Sequence, residues 1–204
     1  AYMMVLLADN FVPKMRYTFS YSSPKSYRNP IYFMATATEA ANLTNLAMTA
    51  CGKGWNEKDK KLFKTAYTQY LRFDMEWRKT WRVTEKDVLL LHGLGGIIVP
   101  YGNCDTLPFS ELYYCGGAND LRGFSTRSIG AGSSYYDDRD VQYLMCNGDI
   151  KMMMNLEYRP HLFGSLYGAL FVDAGNVWNW YSTVEVMKES GFEDYVKKLQ
   201  LPED

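Results

Sequence analysis

Between Asp149 and Arg159 the chain alternates with a period of two. The even positions are Ile150, Met152, Met154, Leu156 and Tyr158, all apolar, and the odd ones are Asp149, Lys151, Met153, Asn155, Glu157 and Arg159, polar except for Met153. An amphipathic helix repeats its apolar residues at three and four, so this pattern predicts a strand with one apolar and one wet face. Eleven residues at about 3.3 Å each reach roughly 36 Å, or about 28 Å along the barrel axis at a tilt of ~40°. That is the height of the apolar band of an outer-membrane β-barrel.

The same division recurs upstream. Between Ala66 and Val83 one face carries Tyr67, Leu71, Phe73, Met75, Trp77 and Trp81, and the other carries Thr68, Tyr70, Arg72, Asp74, Glu76, Arg78, Thr80 and Arg82. Five charges on one face are too many for the core of a soluble sandwich, and they suit a water-filled lumen. From Phe11 to Tyr21 the apolar face is Phe11, Met15, Tyr17, Phe19 and Tyr21, opposite Lys14, Arg16, Thr18 and Ser20. The stretches 31–50, 88–101 and 166–178 alternate less cleanly, and Gly93-Leu-Gly-Gly96 marks a tight bend or a close backbone approach inside a strand. The predicted strands are therefore 11–22, 31–50, 66–83, 88–101, 149–159 and 166–178.

Composition agrees with this reading. The 204 residues are 47% hydrophobic and 16% aromatic with a net charge of −1, so no basic field points to a nucleic-acid partner. Mean hydropathy is −0.31, and no apolar run approaches the ~18 residues of a membrane helix. A barrel averages to ordinary hydropathy because its strands alternate.

The links between strands alternate between short (23–30, 84–87, 160–165) and long (51–65, 102–148, 179 onward), as inner turns and outer loops do in membrane barrels. Six strands are fewer than the ~8 a closed barrel needs, and lipid tolerates no open edge. The expectation is a portion of a larger barrel over residues 1–178, with both chain ends cut. Residues 179–204 would then open an outer loop, where Ser190-Gly-Phe-Glu193 reads as the capping box of a short helix. All four cysteines (51, 104, 115, 146) fall at or within the long connections. Cys104 with Cys115 is the nearest pair for a disulfide, and free thiols are equally compatible with the spacing.

The 102–148 loop has the most unusual local sequence, with Gly116-Gly117 before Asn119 and then Leu121-Arg122-Gly123-Phe124. Glu157 lies on the lumen side of its strand, and Asp173 stands in the otherwise apolar Phe171-Val-Asp-Ala-Gly175, where an unpaired carboxylate is costly. An arginine brought by the loop into the lumen could pair both carboxylates. One cation between two carboxylates leaves a net charge of about −1, which calls for a hydrated lumen.

Taken together, Pro108-Phe-Ser-Glu111, Gly116-Gly-Ala-Asn119, Leu-Arg-Gly-Phe (121–124), Gly148-Asp149 with Asn155-Leu-Glu-Tyr-Arg159, and Phe171-Val-Asp-Ala-Gly-Asn-Val-Trp178 stand in a distinctive order over residues 85–180. The chain resembles the outer-membrane assembly barrels of the bacterial surface antigen family, the BamA/TamA type. Glu39-Ala-Ala-Asn-Leu43 and Trp77-Arg-Lys-Thr-Trp81 look like its TamA-like members. The resemblance implies an all-β, transmembrane antiparallel barrel of sixteen strands, of which this chain would supply about six without the final ones. It implies a bacterial outer-membrane location and a non-enzymatic role in inserting unfolded outer-membrane protein clients. The implied partners are outer-membrane lipids, the remainder of the barrel with its periplasmic domains, and accessory lipoproteins. The family's loop arginine falls on Arg122 and its strand partners on Glu157 and Asp173. Leu121, Gly123, Phe124 and Gly175 take the neighbouring motif positions, with Leu121 standing where many members have valine.

No catalytic residue, cofactor or metal is expected. His92 and His161 have no nucleophile at a recognised spacing, and Gly93-Leu-Gly-Gly96 and Gly130-Ala-Gly-Ser-Ser134 are not phosphate cradles. Asp137-Asp-Arg-Asp140 lacks the glycine and final glutamate of a calcium loop. Three alternatives stay open at this point: a two-partner-secretion-type translocation pore, a passive porin or structural barrel, and, least favoured, a soluble β-sandwich.

Overall fold

A computed structural model describes residues 11–180 apart from positions 25, 56, 59, 63, 105, 106, 135–141 and 144. The short helix expected to open at the 190–193 capping box and the acidic stretch 137–140 lie outside the described residues.

Six strands form one antiparallel sheet in which each pairs with its chain neighbour. They are β1 (Lys14–Ser22), β2 (Ile31–Ala40), β3 (Tyr70–Arg82), β4 (Val88–Pro100), β5 (Ile150–Arg159) and β6 (Leu170–Trp178). All six expected strands are present, with shorter ends. Strand 31–50 needs the largest correction, because β2 stops at Ala40 and a helix, α1 (Asn42–Ala50), follows. Ala41 between them adopts φ 58°, which breaks the extended path, and Leu, Ala and Met favour the helix that follows. The predicted 166–178 strand likewise begins only at Leu170. Residues 161–163 and 166–167 instead form a small hairpin of their own within the turn.

The links 23–30, 83–87 and 160–169 close one end of the sheet, and 41–69 and 101–149 lie at the other. By the asymmetry of membrane barrels the first end is the inner one and the second the outer.

Register puts like with like. Phe73 pairs with Ile97 and Ala37, Met75 with Gly95 and Ala35, and Gly95 with Met152, all on the outward face. Tyr17, Phe19, Phe73, Met75, Met152, Met154 and Val172 stand exposed there, as a lipid-facing wall requires. On the opposite face Arg72 pairs with Asp74, and Arg78 and His92 both meet Glu76.

The buried core does not lie between two sheets. It lies between the lumen face and the long loop laid upon it: Tyr70, Ile98, Met153 and Val177 from the strands meet Tyr113, Cys115 and Leu121 from the loop. Met153, the lone apolar residue on the wet face of its strand, is the residue that the loop covers.

Candidate functional site

The loop after β4 runs back across the lumen wall and is fastened strand by strand. Glu111 accepts from Lys14 Nζ on β1 through both carboxylate oxygens at 2.7 Å, and from the Tyr70 hydroxyl on β3 at 2.7 Å. Tyr113 donates to Asp74 Oδ1 at 2.6 Å, while the Arg72 guanidinium stacks 4.3 Å from its ring centroid. Gly96 on β4 makes room for this, since a Cβ there would overlap the Tyr113 hydroxyl. Lys151 on β5 then donates to the Tyr114 carbonyl at 2.8 Å and to Asp120 Oδ2 at 2.9 Å, and Asn155 donates to the Asp120 carbonyl at 2.8 Å.

The fastening ends at Arg122. Its backbone N–H and Nε donate to Asp173 Oδ2 at 3.0 and 2.7 Å, and Nη2 donates to Asp173 Oδ1 at 2.6 Å. Nη1 donates to Glu157 Oε2 at 2.5 Å. The sheet register explains the reach. Asp173 lies opposite Asn155 and Phe171 opposite Glu157, so the two carboxylates are diagonal neighbours on one face, a spacing that a guanidinium fork can span. The Phe171 ring lies beneath, 3.8 Å from the Arg122 carbon at the centre of the fork. Hydrogen bonds from Arg122 to Asp173 outweigh desolvation and hold the guanidinium firmly charged, above its ordinary value.

Arg159 adds what the sequence reading omitted. Its Nε donates to Glu157 Oε1 at 2.5 Å, so Arg122 and Arg159 together balance the two carboxylates and the expected net negative charge disappears.

The other motif positions divide. Leu121 is buried against Gly175, where a Cβ would lie 3.3 Å from Leu121 Cδ1. Gly123 adopts φ 86°, a left-handed turn that glycine takes without strain. Phe124 does not bring its side chain to the site: the residue is 57% exposed, and only its backbone is used, the carbonyl accepting from the Gly117 N–H at 2.9 Å and the N–H donating to the Leu121 carbonyl at 3.4 Å.

The Cys104–Cys115 disulfide is not formed; the four cysteines stand as thiols. Cys104 Sγ lies against the Gln69 backbone, accepting from its N–H and donating to its carbonyl, each at 3.3 Å. Cys115 is buried in the core under the loop, and burial pushes its thiol up to about 11.

Sequence reasoning missed Glu111, Tyr113 and Lys151 as fasteners. The signal available for them was the lumen face itself, whose Lys14, Tyr70, Asp74 and Asn155 needed partners. It also missed Arg127. Its guanidinium is buried among Phe109, Tyr114 and Tyr143, 4.1, 4.4 and 5.3 Å from the ring centroids, and burial lowers its pKa.

His92 is a structural bridge, its Nδ1 3.1 Å from Asn155 Oδ1 and its Nε2 3.1 Å from Glu76 Oε1. The assembled site is a strap carrying fixed, paired charges.

The model of the Omp85 superfamily domain matches residues 54–193. Among solved structures the chain is similar to the crystal structure of BamA from Haemophilus ducreyi lacking POTRA domains 1-3. The identity is 20% and the TM-score 0.42, over 94% of this chain and 45% of that one. The chain thus spans less than half the length of that structure.

Proposed function

This chain belongs to the Omp85 superfamily, a family of outer-membrane protein assembly and insertion barrels, and on that premise we propose that its parent protein inserts unfolded outer-membrane proteins into the membrane. Its place is the bacterial outer membrane. The family's barrels are generally non-enzymatic, and this reading asks for neither a cofactor nor a catalytic group. Clients, outer-membrane lipids, the rest of the barrel with its periplasmic domains, and accessory lipoproteins are the partners it requires. In this reading residues 1–178 are barrel wall with the strap of 102–148, and 179–204 begin a further outer loop.

One observation carries the proposal. The strap is locked by Arg122 to carboxylates on both β5 and β6, and along its course it is fastened to β1, β3 and β5. A passive pore gains nothing from a loop laid across its lumen wall and pinned to so many staves. A machine that must hold its wall in one curvature while clients fold beside it does. Arg122 therefore anchors the strap and holds the barrel in its working conformation.

The test uses the full-length protein in liposomes, with and without Arg122→Glu, and follows folding of an added unfolded barrel protein by its heat-dependent gel shift. Faster client folding that the substitution abolishes is the expected result. No acceleration by the unsubstituted protein would overturn the insertion reading. Equal acceleration by the Arg122→Glu variant would overturn the anchoring role alone.

A further inference from the structure

Helix α1 is inside out. Its exposed residues are Leu43, Leu46, Ala47 and Ala50, an i, i+3, i+4, i+7 stripe that in a soluble protein faces the core. Leu43 and Leu46 are 62% and 57% exposed. The inward side carries Asn45, Met48 and Thr49 with Asn42 at its start, and the three polar side chains are all engaged by protein. Asn45 is buried, with its Oδ1 accepting from the Tyr67 hydroxyl at 2.8 Å and from Lys60 Nζ, and its Nδ2 donating to the Trp55 carbonyl at 3.2 Å. Lys60 Nζ also donates to the Gly54 and Trp55 carbonyls, each at 3.0 Å. Asn42 accepts from the Tyr101 hydroxyl and donates to Glu39 Oε2 at 3.0 Å. Thr49 turns its hydroxyl back to the Asn45 carbonyl at 2.9 Å.

A helix patterned this way is stable only where its outside is apolar. Its position supplies that condition. It begins two residues after β2 ends, at the outer end of the sheet, and Leu43 lines one cleft with Pro13 and Met15, whose polar end is formed by Lys14, Glu39, Asn42 and Thr44. The apolar stripe thus continues the outward wall of Met15, Leu71 and Val99, all exposed. Trp55, 43% exposed in the segment that caps the helix's polar side, is of the residue type that settles at a membrane–water boundary.

We infer that α1 is an interfacial helix, its Leu43–Leu46–Ala47–Ala50 face seated in the acyl chains of the outer leaflet, so that the lipid-contacting surface of this barrel extends beyond the strands onto the first long outer loop. An amphipathic helix of this kind lies in the plane of the interface, buried by about 5–10 Å. The polar network of Asn45, Lys60 and Tyr67 fixes which face it presents.

The test places a nitroxide on Leu46→Cys, and separately on Leu43→Cys, in the full-length protein carrying Cys51→Ser and reconstituted in liposomes. Collision with oxygen is compared against collision with a water-soluble nickel complex. Met152→Cys on the outward wall and Lys53→Cys in the loop serve as references, and a heat-dependent gel shift verifies folding of each variant. The expected result is an oxygen-to-nickel ratio at positions 43 and 46 shifted to that of position 152. A ratio equal to that at position 53 would put the helix face in water and overturn the inference. Protection from both reagents would show a protein covering it, and would overturn the lipid assignment equally.

Discussion

Leu121 and Gly175 fit each other where the strap lies on the lumen wall. A Cβ on Gly175 would stand 3.3 Å from Leu121 Cδ1, 2.9 Å from the Met152 carbonyl oxygen and 3.1 Å from Met153 Cα. Two of those three neighbours are backbone atoms of the adjacent strand and cannot give way cheaply. The leucine can seat the strap low enough for Arg122 to reach Asp173 only because position 175 has no side chain. Gly175→Val is therefore expected to lift the turn and cost roughly 1–3 kcal/mol through overpacking. Trypsin cleavage after Arg122 and Arg127 in the folded barrel measures it, and the variant should be cut faster than the unsubstituted protein.

The two carboxylates of the lock are not equivalent. Asp173 accepts three of the four hydrogen bonds from Arg122 and its side chain is the more buried, whereas Glu157 accepts one and divides its charge with Arg159. Asp173→Asn should destabilise the strap by on the order of 1.5–3 kcal/mol, the range for a hydrogen bond to a charged group, and Glu157→Gln by less. The same proteolysis series ranks them, and a larger effect at Glu157 would contradict the geometry.

Much of this was legible in the chain because lipid and water enforce a period of two on strands 9 to 13 residues long. The lumen side of β3 and β5 could be read residue by residue, and with it the need of Glu157 and Asp173 for a cation. What escaped has physical reasons. The β2–α1 boundary is hidden because alternation is weak over 31–50 and the break is made by the backbone of Ala41, at φ 58°, which that residue type does not announce. Glu111 and Tyr113 escaped because a loop residue has no periodicity to place it, and their partners Lys14 and Asp74 are about forty or more positions away in sequence. Arg159 escaped because its bond to Glu157 runs along one strand rather than across two.

Burial separates the cysteines. Cys115 and Cys146 are buried, and that burial pushes both thiols up to about 11, while Cys51 is exposed. A thiol whose folded value is raised contributes stability that is complete below its unfolded value and is lost as pH rises through the folded one. In native protein at pH 8, an alkylating reagent should modify Cys51 and leave Cys115 and Cys146 untouched. Mass spectrometry after unfolding should find four titratable thiols in this region without prior reduction. A Cys104–Cys115 bridge would appear as two fewer.

Glu111 gives the strap a pH dependence at its β1 end. Burial alone would raise its carboxyl, but hydrogen bonds from Lys14 and Tyr70, and the charges of Lys14 and Arg72, prevail and hold it below an ordinary glutamate's 4.5. A depressed carboxyl contributes stability that is complete above its unfolded value and disappears as pH falls through the folded one. Protection of the amides of residues 109–113 against hydrogen exchange, taken relative to their intrinsic rates at each pH, should therefore be high at neutral pH and fall as acid protonates Glu111, with Lys14 released from β1's side of the strap. Glu111→Gln should show low protection at neutral pH already and lose this acid step, because the amide keeps a partner for Tyr70 but no charge for Lys14. Persistence of the step in Glu111→Gln would place its origin in another carboxylate.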